Sequence, residues 1–416
     1  MPLGIYISVP FCRTKCSYCN FASDVFSRAV FERYVDRVCA DIENTPQIAG
    51  EMDGKMEHVD SIYLGGGTPT ELDTAQLERI FATVRRQFDV NPDAEVTVEC
   101  APGTLTGAML QSLLRCGVNR VSLGVQSFVD HEAAAVGRLH KRATVLQDIA
   151  ELRASGITNI NVDLIAGLPH QTAESWEFSL AEAIATGAPH VSVYMLEVDD
   201  DSRLGREVLA GGKRYHAHFV PDEEAMADFY LAACERLPSV GIDQYEISNF
   251  AREGFESRHN LKYWTRQPYF GFGVDAHSML LANREAPDFS CAIAENEREP
   301  GFSPRNYDNE AVRFASADSL ERYMAGVGLQ RIAVPRRAAL EESFFLGLRL
   351  NRGVSLRALA AKFGGKAVED ARASMAELVE GGLMEQSGDF VRLTSRGRLL
   401  SNEVFERFIV GDEISR

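Results

Sequence analysis

The chain has 416 residues, enough for two or three domains at ~100–200 residues each. Its formal net charge is −17, which disfavours a general phosphate-backbone binder, because such proteins cluster Lys and Arg. With 45% apolar residues it has material for a core, but no run of ~18 apolar residues that would cross a membrane as a helix.

The start, MPLGIYISVPFCRTKC, lacks a basic segment followed by a long apolar one. It does not read as a secretory signal, and a reducing, cytoplasmic setting is expected. LGIYISV (3–9) reads as a buried strand, followed by a helix at about 28–44. VDSIYL (59–64) is the next strand, then GGGTPT and a helix at about 73–88. AEVTVEC (94–100), RVSLGV (120–125), NINVDLI (159–165) and HVSVYML (190–196) follow as strands, with amphipathic segments between them. Short β-branched runs alternating with helices give six βα units and a parallel sheet rolled toward a partial barrel. Loops after such strands converge on one face, and most of the polar and glycine-rich strings fall there. Residues 200–310 are less regular: a helix at about 221–237, then QYEISNF, SRHNLKYW and YFGFGVDAHSML as short strands and loops. The fold expected is α/β, a partial (β/α)6 barrel followed by a small α-helical, winged-helix-like domain. The first part runs over 1–300 and carries the irregular extension; 301–416 is linker and C-terminal domain. The tail ends in a hairpin around Ser387-Gly388-Asp389. It is close to charge balance, so a structural cap fits it better than a nucleic-acid reader.

Of eight cysteines, three are clustered: Cys12-x3-Cys16-x2-Cys19, directly after the first strand. Three thiolates on one loop can hold three irons of a cubane [4Fe–4S] cluster and leave the fourth iron open. A zinc site would want a fourth Cys or His with its own spacing partner. A redox pair would need only Cys16 and Cys19, and leaves Cys12 unexplained. Glu99, Gln126 and Asp163 are polar side chains at strand positions that should be apolar, which calls for a partner or a ligand for each. His140, His170, His216 and His218 read as surface residues.

The cysteine spacing after the first strand of a six-unit βα chain resembles the radical S-adenosylmethionine (SAM) superfamily. That resemblance implies a three-cysteine [4Fe–4S] cluster whose open iron takes an exchangeable SAM, cleaved in the family to a 5′-deoxyadenosyl radical. The strings YISVPFC, GGGTPT, GVQSF, GRLH and DLIAGLP resemble the oxygen-independent coproporphyrinogen III oxidase branch. By that likeness Tyr6, Tyr18, Gly66, Gly67, Thr68, Glu99, Gln126, Arg138, Asp163 and Met195 contact SAM. Arg138 would pair the SAM carboxylate, Gln126 and Asp163 the ribose, Gly66 and Gly67 the amine. The oxidase itself continues to a fourth cysteine, CxxxCxxCxC, whereas here Phe21 stands two places after Cys19. His259-Asn260-Leu261-Lys262-Tyr263-Trp264 reads as HNxxYW, which resembles the hallmark of the HemW group of heme chaperones. That likeness implies heme as cargo, with His259, Tyr263 and Trp264 at its docking site and His277 as a further candidate. It implies heme-accepting respiratory proteins as partners, with transient membrane association, and a second copy of the chain as a candidate partner. The alternative is the oxidase activity. Whether SAM is turned over stays open on the residues alone.

Overall fold

The computed structural model describes residues 1–51, 57–198, 200, 202–282 and 309–409. Six strands form the centre of one sheet: β1 (Leu3–Val9), β2 (Val59–Gly66), β3 (Val90–Cys100), β4 (Arg120–Gln126), β5 (Asn159–Ala166) and β6 (His190–Met195). They lie in chain order and pair in parallel, as right-handed βα crossovers require. Beyond β6 the sheet continues antiparallel through β8 (Asn249–Ala251) to β7 (Asp243–Gln244). Beyond β1 it continues through β9 (Tyr269–Phe272), parallel to β1, and then antiparallel through β10 (His277–Leu281), β11 (Asn309–Ala315) and β12 (Gln330–Pro335). The end strands β12 and β7 do not pair with each other, so the barrel is open.

The central strands alternate with period two. Ile5, Ile7, Ile62, Leu64, Val121, Leu123, Ile160, Val162, Val191 and Val193 turn to one face and are buried in a continuous core with the crossover helices. The intervening residues turn to the other face and are largely polar: Ser61, Tyr63, Glu95, Thr97, Glu99, Arg120, Ser122, Asn161, Asp163, His190 and Ser192. Glu99, Ser122, Asn161 and His190 form one rung straight across β3 to β6. The inner face of this barrel is therefore a polar lining rather than the packed aliphatic layers of a full eight-stranded barrel.

Two expectations are corrected here. The domain boundary does not fall at 301, because β11 and β12 extend the main sheet as far as Pro335. NEAVRFA and QRIAVP alternate strongly enough to pair, and pairing satisfies backbone groups that a linker would leave to water. SRHNLKYW forms a helix, Arg258–Trp264, instead of a strand or loop. Ser257 caps it, its Oγ accepting from Asn260 N at 3.3 Å.

The C-terminal unit begins with the helix Arg336–Gly347. Further helices follow, with a three-stranded antiparallel sheet of β13 (Val354–Ser355), β15 (Phe390–Leu393) and β14 (Met384–Ser387). The β14–β15 hairpin turns at Gly388, whose φ of +58° suits glycine. The unit is not independent: Phe344, Leu348, Met375 and Val391 share one apolar cluster with Met279, Ala311 and Val334 of the main sheet.

Candidate functional site

A cavity of about 1170 Å³ opens at the carboxyl ends of the central strands. Cys12, Cys16 and Cys19 line it, all half-buried and all free thiols. Burial pushes the Cys12 thiol up, against hydrogen bonds from Ser23 and Thr68 that favour the thiolate. Among the described residues no three His, Cys, Asp or Glu side chains converge on one metal ion. Three thiols on one loop, each free to take a different iron, fit a cubane better than a single ion. Phe21 is exposed to 64%, and the carbonyl beneath it accepts a hydrogen bond from Lys15 Nζ at 2.8 Å.

The residues expected to contact SAM do gather here. Tyr18, Gly66, Gly67, Thr68, Glu99, Gln126, Arg138, Asp163 and Met195 all line the cavity. Tyr6 lies just beneath, its hydroxyl beside Gly66. Gly66 carries φ of +101°, and a Cβ there would press on Ser8 Oγ at 3.0 Å. Gln126 is buried with φ of +69°, a strained conformation for a non-glycine residue and typical of a ligand clamp. Glu99 accepts from Tyr63 OH at 2.8 Å and from Gly66 N at 3.1 Å. Burial nevertheless pushes its carboxyl up to about 7. Arg138 donates to Tyr18 OH at 2.9 Å, and its buried Nε has no hydrogen-bond partner among the described residues. An orphaned guanidinium nitrogen at the cavity wall fits a ligand carboxylate, which a planar fork holds well. A carboxylate, an arginine fork, glycine backbone and ribose-suited Gln126 and Asp163 together fit SAM by the chemistry of their donors.

The floor holds residues that motif reading missed. Arg120 is 1% exposed, yet it lines the cavity and its Nε has no hydrogen-bond partner among the described residues. Its charge holds Glu99 and Asp163 lower than burial alone would. Asn161 donates to Asp163 at 2.7 Å and Ser122 at 2.7 Å, and His190 Nδ1 lies 2.6 Å from its Oδ1. Burial holds His190 well below the usual imidazole range, so it sits there neutral. The signal was available: RVSLGVQ, NINVDLI and HVSVYM set polar residues two apart over most of their length, with Gly124 and Ile165 as exceptions. His140 is a further correction. It is buried on the cavity wall, with Nε2 3.1 Å from Val125 O, and burial lowers its pKa to about 4. The opposite wall is supplied by the C-terminal unit through Arg396, Leu399, Leu400 and Asn402.

HNxxYW lies at the other end of the barrel, at the amino ends of the strands. His259 is 1% exposed. Its Nδ1 lies 3.0 Å from Ser61 Oγ and its Nε2 2.9 Å from Tyr263 OH, so both ring nitrogens are used. Burial, with Lys262 and Arg120 nearby, lowers its pKa to about 3. Glu95 accepts from the backbone of Arg258 and His259 and from Ser257 Oγ, receiving the helix N-terminus. Lys262, also buried, pairs with Asp60 at 2.6 Å. Gly4 makes this approach feasible, since a Cβ there would meet Lys262 Cδ at 2.8 Å. Tyr263 packs edge-on against His259 and Tyr269, and Trp264 lies under Arg349 at 4.3 Å. The expected heme contact of His259 is thus not open in this arrangement, because its ring is buried in the barrel floor with both nitrogens used, whereas Tyr263 and Trp264 stay partly exposed. An axial bond to His259 would require that packing to come apart. His277 is exposed at the start of β10 and does not line the cavity.

An open six-strand parallel barrel with three cysteines on its first loop is the architecture of radical SAM proteins. The sequence model of the radical SAM superfamily matches residues 6–183, and that of the HemN C-terminal domain matches 334–400. The solved structure of Escherichia coli coproporphyrinogen III oxidase (HemN), a radical SAM enzyme, shares the fold at TM-score 0.78. It is 23% identical, with 98% of this chain and 90% of that one covered. Heme chaperone HemW of Bacillus subtilis is 34% identical over 97% of this chain and 98% of its own length. Heme chaperone HemW of Escherichia coli is 29% identical over 98% of each. Within the radical SAM class, the chain belongs to the HemW family.

Proposed function

We infer that this protein is a heme chaperone that binds heme and passes it to heme-requiring proteins. The observation that carries this reading is similarity to heme chaperones along essentially the whole chain, C-terminal unit included. Cys12, Cys16 and Cys19 would hold a [4Fe–4S] cluster, and Arg138, Glu99, Gly66, Gly67, Gln126 and Asp163 an exchangeable SAM. When bound, that pair supplies one-electron chemistry. The chain's own contribution is to orient the ligand by Arg138 and Gln126, and to shelter it between the cysteine loop and the C-terminal wall. Acceptors would be respiratory heme proteins, met from a cytoplasmic location and with a second copy of the chain as a candidate partner. No helix among the described residues is long and apolar enough to cross a membrane. Contact with membrane-bound acceptors would therefore be made by docking.

Phe21, where the oxidase pattern has its fourth cysteine, weighs against decarboxylase activity. The deciding experiment is anaerobic and uses reconstituted protein. Heme titrated with and without cluster and SAM should give a saturable Soret change and transfer to an acceptor. Sustained release of carbon dioxide from coproporphyrinogen would overturn the chaperone reading in favour of the oxidase.

A further inference from the structure

Outside the main cavity, a second pocket has chemistry that points to a ligand. It lies behind the cysteine loop, with a volume of about 630 Å³. Its wall is the segment Arg214–Phe219, which follows the helix Arg203–Leu209. His170 packs against this segment from the loop after β5, its ring centroid 4.0 Å from that of Phe219. His170 Nε2 and His216 Nδ1 are 3.1 Å apart. His218 stacks on the same Phe219 at 4.0 Å, and His131 lies 5.9 Å from His170.

Three features set this pocket apart from an ordinary polar surface. The first is strain. His170, Tyr215 and His216 have φ of +70°, +54° and +60°, three of the six left-handed non-glycine residues described. Such conformations are costly and collect at ligand sites. The second is apolar exposure: Tyr215 and Phe219, both lining the pocket, are 41% and 47% exposed. The third is charge. Lys15, Arg203 and Lys213 line the pocket, no carboxylate does, and neither Arg203 nor Lys213 has an ion-pair partner among the described residues.

We propose that this pocket is the heme-docking site, with His216 as axial ligand. The proposal rests on heme being the cargo, as inferred above, and names where it sits. Heme is a broad apolar plate with an imidazole-binding iron and two carboxylates on one edge. His216 is exposed, and its Nε2 has no partner among the described residues. With its Nδ1–H donated to His170 Nε2, its Nε2 lone pair faces outward. That bond fixes the tautomer and raises the basicity of a ligating imidazole. Tyr215 and Phe219 offer faces for the macrocycle, and Arg203 and Lys213 offer partners for the propionates. Lys15 belongs to the cysteine loop itself, so cargo here would adjoin the cluster. His259, with both nitrogens used inside the barrel floor, offers none of this.

The test uses the full-length protein with its cluster reconstituted. His216→Gly keeps the left-handed backbone comfortable, so loss of fold is not expected. Heme affinity should fall at least tenfold and the Soret maximum should move. Added imidazole should restore the original spectrum, while the cluster absorption stays as in wild type. A second arm replaces Arg203 and Lys213 by Glu. Binding of heme should weaken, and binding of the heme dimethyl ester should not. Wild-type heme binding with an unchanged spectrum and affinity in His216→Gly would overturn the site and leave the chaperone reading standing. No saturable heme binding by wild type would overturn both.

Discussion

Glu99 joins protonation to ligand binding. Its carboxyl, raised to about 7 chiefly by burial, is largely protonated at pH 6 and largely ionised at pH 8. A ligand that places a cation beside it, as SAM would, binds the ionised form and must first displace the proton below pH 7. SAM affinity should therefore fall by up to about tenfold per pH unit below 7, and Glu99→Gln should flatten that dependence. Calorimetry at pH 6 and pH 8 checks this; equal wild-type affinities would place the cation elsewhere. The cysteines make a simpler claim. Replacing Cys12, Cys16 or Cys19 by Ser removes one iron ligand of three, so absorption near ~400 nm should be lost on reconstitution. Cys39, Cys100 and Cys116 are buried in the protein, and their Ser variants should retain it.

At the scale of elements, the helix Arg258–Trp264 is a stopper for the barrel. His259→Ala would leave Ser61 and Tyr263 without their partner and open a void. A loss of about 2–4 kcal/mol is expected in urea unfolding at pH 7. The pH dependence has a definite sign. The unfolded imidazole takes a proton below about 6.5, whereas the folded one resists until about 3, so wild type loses the His259 contribution as pH falls through that window. The stability gap between wild type and His259→Gln should therefore narrow from pH 7 to pH 5. A gap that stays constant would mean the imidazole is not held neutral. Heme affinity of the folded variant should match wild type, which separates this role from an axial one. Ser257→Ala, which removes the cap of the same helix, should cost about 1 kcal/mol.

For the whole molecule, the C-terminal unit acts as both wall and lid. Ending the chain at Pro335 would strip Arg396, Leu399 and Leu400 from the cavity and uncover Met279, Ala311 and Val334. The shared core predicts that such a truncation unfolds at lower urea and binds a hydrophobic dye in its folded baseline. Unfolding at the wild-type midpoint without dye binding would show that the two cores are independent.

Strand positions were legible because β-branched alternation is a local property. β1 spans Leu3–Val9, as read from LGIYISV, and β5 begins at Asn159, as read from NINVDLI. The cysteine loop was legible for a similar reason, since its three cysteines lie within eight residues. The helix Arg258–Trp264 was not, because seven residues with two aromatics carry little periodicity and its capping carboxylate, Glu95, comes from β3. Arg120 and Asn161 were legible as members of an alternating polar face within each strand; only parallel pairing brings those faces together across one cavity. His259 and His216 show the limit most clearly. His259 lies in the HNxxYW string and His216 beside His218 in none, so motif alone favoured the first. Burial and hydrogen bonding, which depend on what the folded chain brings against each ring, use both nitrogens of His259 and leave one nitrogen of His216 to solvent. The sequence by itself thus determined the class, the strands and the cluster loop, because those are encoded over short stretches. The tertiary structure decided which histidine is available to a ligand, because availability is set by contacts between distant parts of the chain.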